Sequence, residues 1–169
     1  YSSIHRHPYY PWTGEAEEVG KGEGMGFNVN VPVECGGSDP DYANLIRHLL
    51  MPIARRFRPE LILVAAGFDI HHGDPLRSMN VTEAGFARMT QLLMEVASEL
   101  CAKRVVLALE GGYNSEALRD SVAMVLWEMS GQSMINREEM RQVEDAQYEN
   151  IKKTIEQVKR IQAPYWGDL

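Results

Sequence analysis

Two apolar runs, Leu61-Ile62-Leu63-Val64 and Val105-Val106-Leu107-Ala108-Leu109, constrain the fold of this chain more than any other feature. Each is short and uninterrupted, and each is followed by a glycine-containing string, Ala66-Gly67-Phe68-Asp69 in the first case and Glu110-Gly111-Gly112-Tyr113-Asn114 in the second. A continuous aliphatic run of this length reads as a strand buried on both faces, the habit of parallel sheets. Behind each string comes a helical period. Thr82 stands where it would cap a helix running to about residue 100, with Phe86, Met89, Leu92, Leu93, Val96 and Leu100 at helical spacing. Ser115 opens a second helix, closed by Gly131. Strand, helix, strand, helix is two consecutive β-α units, which join parallel strands by right-handed crossovers. Both strings therefore fall at the carboxyl ends of adjacent parallel strands, where open α/β sheets place their ligands.

The remaining segments are read more coarsely. Residues 27–33 alternate as a strand does, and a turn follows at Gly36-Gly37-Ser38-Asp39-Pro40. Asp39 is expected as N-cap and Pro40 as first residue of a helix to about residue 56, with Leu45, Ile46, Leu49, Leu50 and Ile53 on one face. Residues 1–26, rich in Gly, Pro and His, show neither a strand nor a helix period and are expected to run irregularly over the surface of something else. Residues 136–162 read as a long polar helix whose narrow stripe of Met140, Val143, Ile151, Ile155 and Val158 docks on the body or on a neighbouring chain. Ala163-Pro164-Tyr165-Trp166 ends that helix and anchors the terminus through its aromatics. The expected division is an α/β portion over 1–135 and a helical tail over 136–169.

Composition excludes several classes of function. With 169 residues, 44% of them hydrophobic, the chain can bury a core of about one domain. A net charge of −7, with Lys and Arg scattered apart from Arg55, Arg56 and Arg58, argues against a nucleic-acid partner. No window approaches the apolar length of a bilayer span, and Tyr1-Ser2-Ser3-Ile4-His5 carries neither a basic nor an apolar signal region. A cytoplasmic chain with no membrane partner is the expectation. Cys35 and Cys101 form no C-x-x-C pair and are expected as two reduced, mostly buried thiols.

Asp69, at the end of a buried strand, can reach into a cleft as a hard oxygen ligand for a divalent ion; taken on its own it reads better as a capping or loop-bracing carboxylate. The shape-controlling Gly73-Asp74-Pro75 that follows favours a site over a mere connection. If the segment is extended, Asp69 and His71 share a face and His72 points away. One Asp and one His fall short of the three protein ligands of a catalytic zinc, which leaves each histidine better read as a supporting residue. Gly111 and Gly112 let the backbone approach a ligand closely. Tyr113 then faces the same cleft edge as Asp69, where its hydroxyl can donate to an oxyanion.

From residue 3 to about 131 the chain resembles the C-terminal half of the histone deacetylase family. The likeness is greatest to the class II enzymes and to the bacterial deacetylase-like and acetylpolyamine amidohydrolases of the arginase/deacetylase fold. Four ordered blocks carry it: Ser3-Ile4-His5-Arg6-His7-Pro8-Tyr9-Tyr10-Pro11-Trp12-Thr13-Gly14; Gly26-Phe27-Asn28-Val29-Asn30-Val31-Pro32; Ala66-Gly67-Phe68-Asp69 with Gly73-Asp74-Pro75-Leu76; and Leu109-Glu110-Gly111-Gly112-Tyr113-Asn114. The resemblance implies the C-terminal portion of a three-layer α/β fold, a parallel sheet flanked by helices, with a long final helix. It implies Asp69 as a ligand of the catalytic Zn2+ and Tyr113 as the donor that stabilises the tetrahedral oxyanion of the attacked amide. Tyr10 matches an aromatic wall of the acyl-lysine tunnel, with Leu76 as an apolar residue on its other side and Gly112 beside them. Ser3 and Ile4 fall near a site for a monovalent cation, K+; His71 and His72 do not match the family's catalytic histidines, and His71 and Asp74 stand as supporting residues.

In that family zinc activates water and polarises the amide carbonyl, a histidine takes the water's proton, and the tyrosine donates to the oxyanion. The His-His base pair and the Asp-x-His ligands lie upstream of the matching segment. The expectation is therefore a fragment that hydrolyses an acyl-lysine protein or a small acetyl-amide only together with an N-terminal half or another chain, and is inactive alone. The apolar Leu76 suits the methylenes of an acyl-lysine better than a polyamine cation. The alternative is a non-catalytic α/β binding or assembly module.

Overall fold

The computed structural model describes residues 1–76 and 78–169. Its strands are β1 (Ser2–Arg6), β2 (Val29–Val33), β3 (Ile62–Gly67) and β4 (Val105–Gly111). The helices are α1 (Asp39–Leu45), α2 (Met51–Phe57), α3 (Glu83–Leu100), α4 (Ser115–Ser130) and α5 (Arg137–Trp166), with a π-helical turn over Ile46–Leu50 between the first two. The turn sits directly before Pro52, whose ring would clash with the carbonyl of His48 in a regular α-helix. This is the α/β architecture the two β-α units predict, with parallel strands flanked by helices and a long final helix. Among the described residues the strands form two separate pairs. β1 runs parallel to β2 with Ser2 opposite Val29, and β3 runs parallel to β4 with Ile62 opposite Val105.

The main core gathers Val29, Val31 and Val33 of β2, Leu45 of α1, Phe86 of α3, Val125 of α4 and Ile151, Ile155 and Val158 of α5. α5 is fastened to it by a buried ionic cluster. Glu144, fully buried, accepts from Nε and Nη2 of the buried Arg88 and from Nη1 of Arg47, the last at 2.7 Å. Asn44 donates to the Glu144 carbonyl at 2.8 Å. A buried carboxylate shared by two guanidiniums is compensated only while both partners stay in place, so the cluster fixes the register of α5 on α1 and α3.

Several local expectations are overturned. Residues 1–26 are not irregular throughout, since residues 2–6 form β1. Their Ser, His and Arg side chains hide the strand from any hydrophobic period, and only the ladder to β2 defines it. Ser38, not Asp39, precedes α1. Its N–H and hydroxyl both donate to the Asp41 carboxylate, at 2.9 and 2.7 Å, while Asp39 is drawn to Thr82, accepting from its N–H at 2.7 Å and from its hydroxyl. β3 and β4 are covered on one face only: Leu63 is 72% exposed, Val106 53% and Leu109 61%. α5 runs on through Pro164 to Trp166, and Val143 of its stripe is exposed. The aromatic anchor is present, with the Trp166 indole donating to the Gly26 carbonyl at 2.9 Å and its ring set edge-on to Phe27 and Phe57. Both cysteines are free thiols, but Cys35 is exposed and only Cys101 is buried. Among the described residues no helix is long and apolar enough to cross a membrane.

Candidate active site at the carboxyl ends of β3 and β4

The β3–β4 ladder runs in register from Ile62 opposite Val105 to Ala66 opposite Leu109, then slips by one residue so that Gly67 faces Gly111. The bulge re-aims the strand ends where the chain leaves the sheet. The two glycines leave a notch that the Asp69 carboxylate fills. A Cβ at Gly67 would stand 2.9 Å from Asp69 Oδ1, and one at Gly111 2.9 Å from Oδ1 and 3.1 Å from Cγ. A methyl group at either position would push the carboxylate aside, so the two glycines leave the room in which it sits. Beneath the site lies Tyr42, buried, with a hydroxyl that finds no hydrogen-bond partner among the described residues. Burial first, then the charges of Asp69 and Asp41, push that hydroxyl well above the ordinary tyrosine range, and it stays neutral.

Tyr113 follows on the second loop. Gly112 holds φ +129°, and a Cβ there would come within 2.9 Å of Phe68 Cβ, so the Gly-Gly turn lies flat on the Asp69 loop. Polar links join the loops: the Phe68 N–H donates to the Gly111 carbonyl at 2.9 Å, and Asn114 Nδ2 to the Gly73 carbonyl at 2.8 Å. The Asn114 Oδ1 also caps α4, accepting from the N–H groups of Glu116 and Ala117. Asp74 is buried and accepts from the Tyr113 N–H at 2.8 Å and the Leu76 N–H at 2.9 Å. The side chains of Tyr113 and Leu76 are themselves open, at 64% and 42% exposed.

Asp69, Asp74, Leu76, Gly112 and Tyr113 thus come together at one rim. His71 is close in sequence but turned elsewhere. The segment is not extended: the His71 N–H donates back to the Phe68 carbonyl at 3.2 Å, and the turn overrides the two-residue periodicity that would have put His71 beside Asp69. His71 is buried, its Nδ1 accepting from the Gly73 N–H at 2.9 Å and its Nε2 lying 3.3 Å from Glu83 Oε1. The His72 ring does not point away but packs against it at a tilt, with centroids 4.3 Å apart. Ser3 and Ile4 sit on β1 in the other sheet, where Ser3 Oγ pairs with His5 Nδ1 at 2.9 Å. Tyr10 is 80% exposed on the loop after β1, and among the described residues no ring contact ties it to the rim.

Asp69 is one carboxylate where a catalytic zinc takes three protein ligands. Among the described residues no group of three His, Cys, Asp or Glu could hold a metal ion. These residues do not make a complete zinc site, although an oxygen donor held in a glycine notch fits as one ligand of such a site.

A family model described as the histone deacetylase domain matches residues 1–129. The chain belongs to the histone deacetylase family. Histone deacetylase 15 of Arabidopsis thaliana is 43% identical over 140 residues, which cover 80% of this chain and 25% of that protein. A probable deacetylase of Archaeoglobus fulgidus is 35% identical over 173 residues, covering 97% of this chain and 48% of the relative. The human polyamine deacetylase HDAC10 is 38% identical over 175 residues, covering 100% of this chain and 25% of its own length. The crystal structure of the HDA15 HD domain superposes with a TM-score of 0.81 at 38% identity, over 98% of this chain and 44% of that one. The chain therefore spans a quarter to a half of the length of these histone deacetylase relatives.

Neither the glycine notch around Asp69 nor the Asp74 link is visible in the sequence. Gly67 and Gly111 stand in the quoted blocks, yet only the strand slip shows that they face each other. The spacing of 39 residues between Asp74 and Tyr113 carries no sequence signal at all.

Proposed function

We propose that this chain supplies one metal ligand, Asp69, and the oxyanion donor, Tyr113, to the zinc-dependent hydrolysis of an acetyl-amide. The observation that carries this reading is the Asp69 carboxylate seated in the Gly67–Gly111 notch with the Tyr113 loop strapped beside it, in a chain of the deacetylase family. Zinc, when bound, would supply Lewis-acid polarisation of the amide carbonyl. The remaining ligands and the general base belong to a part of the deacetylase domain outside these 169 residues, or to another chain. The part played by this chain is to present Asp69 as an oxygen ligand and to hold the Tyr113 hydroxyl, a neutral donor, toward the oxygen on which negative charge develops. Leu76 supports an acyl-lysine side chain as substrate, because its apolar surface lies on the same rim. Ser3 and Ile4 are proposed at a K+ site completed in the same way, and Tyr10 as a tunnel wall. The free thiols of Cys35 and Cys101 support action in a reducing compartment, the cytoplasm.

The test is Tyr113→Phe in the complete deacetylase domain, followed by acetate release from an acetyl-lysine peptide. Losing an oxyanion donor lowers kcat by about 10²–10³-fold. Unchanged turnover would remove Tyr113 from the mechanism. An assembly module with no chemistry would show no acetate release and no zinc even in the complete domain.

A further inference from the structure

We infer that Asp74 is the positioning residue of this site, holding the Tyr113 and Leu76 main chains at a fixed offset from Asp69. The inference rests on the reading of Tyr113 as oxyanion donor. Tyr113 is 64% exposed, so packing does not hold its ring. Its direction must come from its own main chain, and the residue before it, Gly112, has the freest backbone of any residue type. Its N–H is tied, and the acceptor is Oδ2 of Asp74 at 2.8 Å. The other oxygen, Oδ1, takes the Leu76 N–H at 2.9 Å.

The Leu76 contact alone would be an ordinary turn formed by an aspartate two residues earlier. The Tyr113 contact is different in kind, because it reaches across 39 residues to the other loop. Two further links, from the Phe68 N–H to Gly111 and from Asn114 to Gly73, close the loops on either side of it. Among the described residues, Asp74 is the one that grips the main chain of the residue carrying the hydroxyl. It is 2% exposed, and a carboxylate is taken out of water at considerable cost unless its oxygens find donors. Here the donors are the main chains of the two residues that would face the substrate: the oxyanion donor and the tunnel wall. One carboxylate therefore sets both, and hydrogen bonds to an ionised acceptor are strong enough to keep them set.

The experiment compares wild type, Asp74→Asn and Asp74→Ala by amide hydrogen exchange in this chain and by steady-state kinetics in the complete domain. In the wild type the Tyr113 amide is expected to exchange at least about tenfold more slowly than in a free peptide, despite its open side chain. Exchange at the free-peptide rate would overturn the inference without any variant. In Asp74→Ala both amides lose that protection while those of β4 and α3 keep theirs. Asp74→Asn offers one oxygen, so one of the two amides keeps its protection and the other loses it. If Asp74→Ala does not fold, this near-isosteric variant decides the question.

Kinetically, Asp74→Asn is expected to lower kcat by about 10–100-fold, since a small misplacement of a reacting group is enough, with KM changed far less. Adding Asp74→Asn to Tyr113→Phe should cost little beyond Tyr113→Phe alone, because Asp74 acts through the hydroxyl that Tyr113→Phe has already removed. Losses that multiply in full, or protection that falls equally across the chain, would make Asp74 merely structural. If Tyr113→Phe alone leaves turnover intact, the proposed function fails by that result, whereas the exchange data still decide whether Asp74 holds the Tyr113 main chain.

Discussion

Between β1 and β2 the apolar side chains are closed in; between β3 and β4 half of them stand open. Val29, Val31 and Val33 are 1%, 0% and 3% exposed under α1 and α5, whereas Leu63, Val106 and Leu109 are 72%, 53% and 61% exposed. The candidate site belongs to the open pair. Burial fixes geometry in the first sheet, through close packing and the Glu144 cluster beside it. At the rim of the second, geometry is held by main-chain links and by a carboxylate in a glycine notch. The packed core and the candidate site thus lie in different halves of the molecule, and substitutions should separate them.

The largest expected effect breaks the closed sheet. Val31→Asp buries an unpaired charge and should cost more than about 4 kcal/mol, enough to unfold the chain, while Leu63→Asp on the open face should stay within about 0.5 kcal/mol. Urea midpoints of the two variants measure the contrast directly. Equal losses would mean that the outer face of β3 is covered in solution.

A smaller effect sharpens the role of the notch. Gly111→Ala places a methyl group against the Asp69 carboxylate, and overpacking of this kind costs about 1 kcal/mol in stability. The loss of turnover in the complete domain should be greater than that loss of stability explains. If activity and urea midpoint fall in proportion, the notch does no more than pack.

The smallest effect belongs to the closed half and depends on pH. His48, its ring tilted against that of Tyr148 in α5, has its pKa lowered from the ordinary 6.5 by burial and then by Arg47 and Lys159. A histidine whose folded pKa is depressed contributes stability above its unfolded pKa, and that contribution is lost as pH falls through about 6.5 toward the folded value. His48→Gln should therefore show a shallower drop in urea midpoint between about pH 7.5 and about pH 5.5 than the wild type. Identical slopes would show that His48 titrates as it does in the unfolded chain.

The contrast between the sheets also explains what could be read in advance. Leu61 to Val64 and Val105 to Leu109 declared parallel strands, and the strings after them declared where a ligand would go, because apolar runs and glycines are local signals. An aliphatic run does not say what lies against each face, so Leu63 and Val106 look as buried as Val29 until the neighbours are in place. β1 was invisible for the opposite reason: its ladder is made by the backbone, and Ser2, Ser3, His5 and Arg6 carry no period. At the site, Asp69 and Tyr113 were legible as residue types at strand ends. The turn that carries His71 back toward Phe68, the facing of Gly67 with Gly111, and the grip of Asp74 on Tyr113 depend on contacts between segments that spacing cannot express.

If Asp69 and Tyr113 form one part of a deacetylase site whose other ligands and base lie elsewhere, zinc content and acetate release from an acetyl-lysine peptide should differ between these 169 residues and the complete domain. Neither stoichiometric zinc nor turnover is expected for the chain alone, and both are expected for the complete domain. One zinc per chain with turnover by the 169 residues alone would contradict that expectation, and would require metal ligands that this site does not assemble.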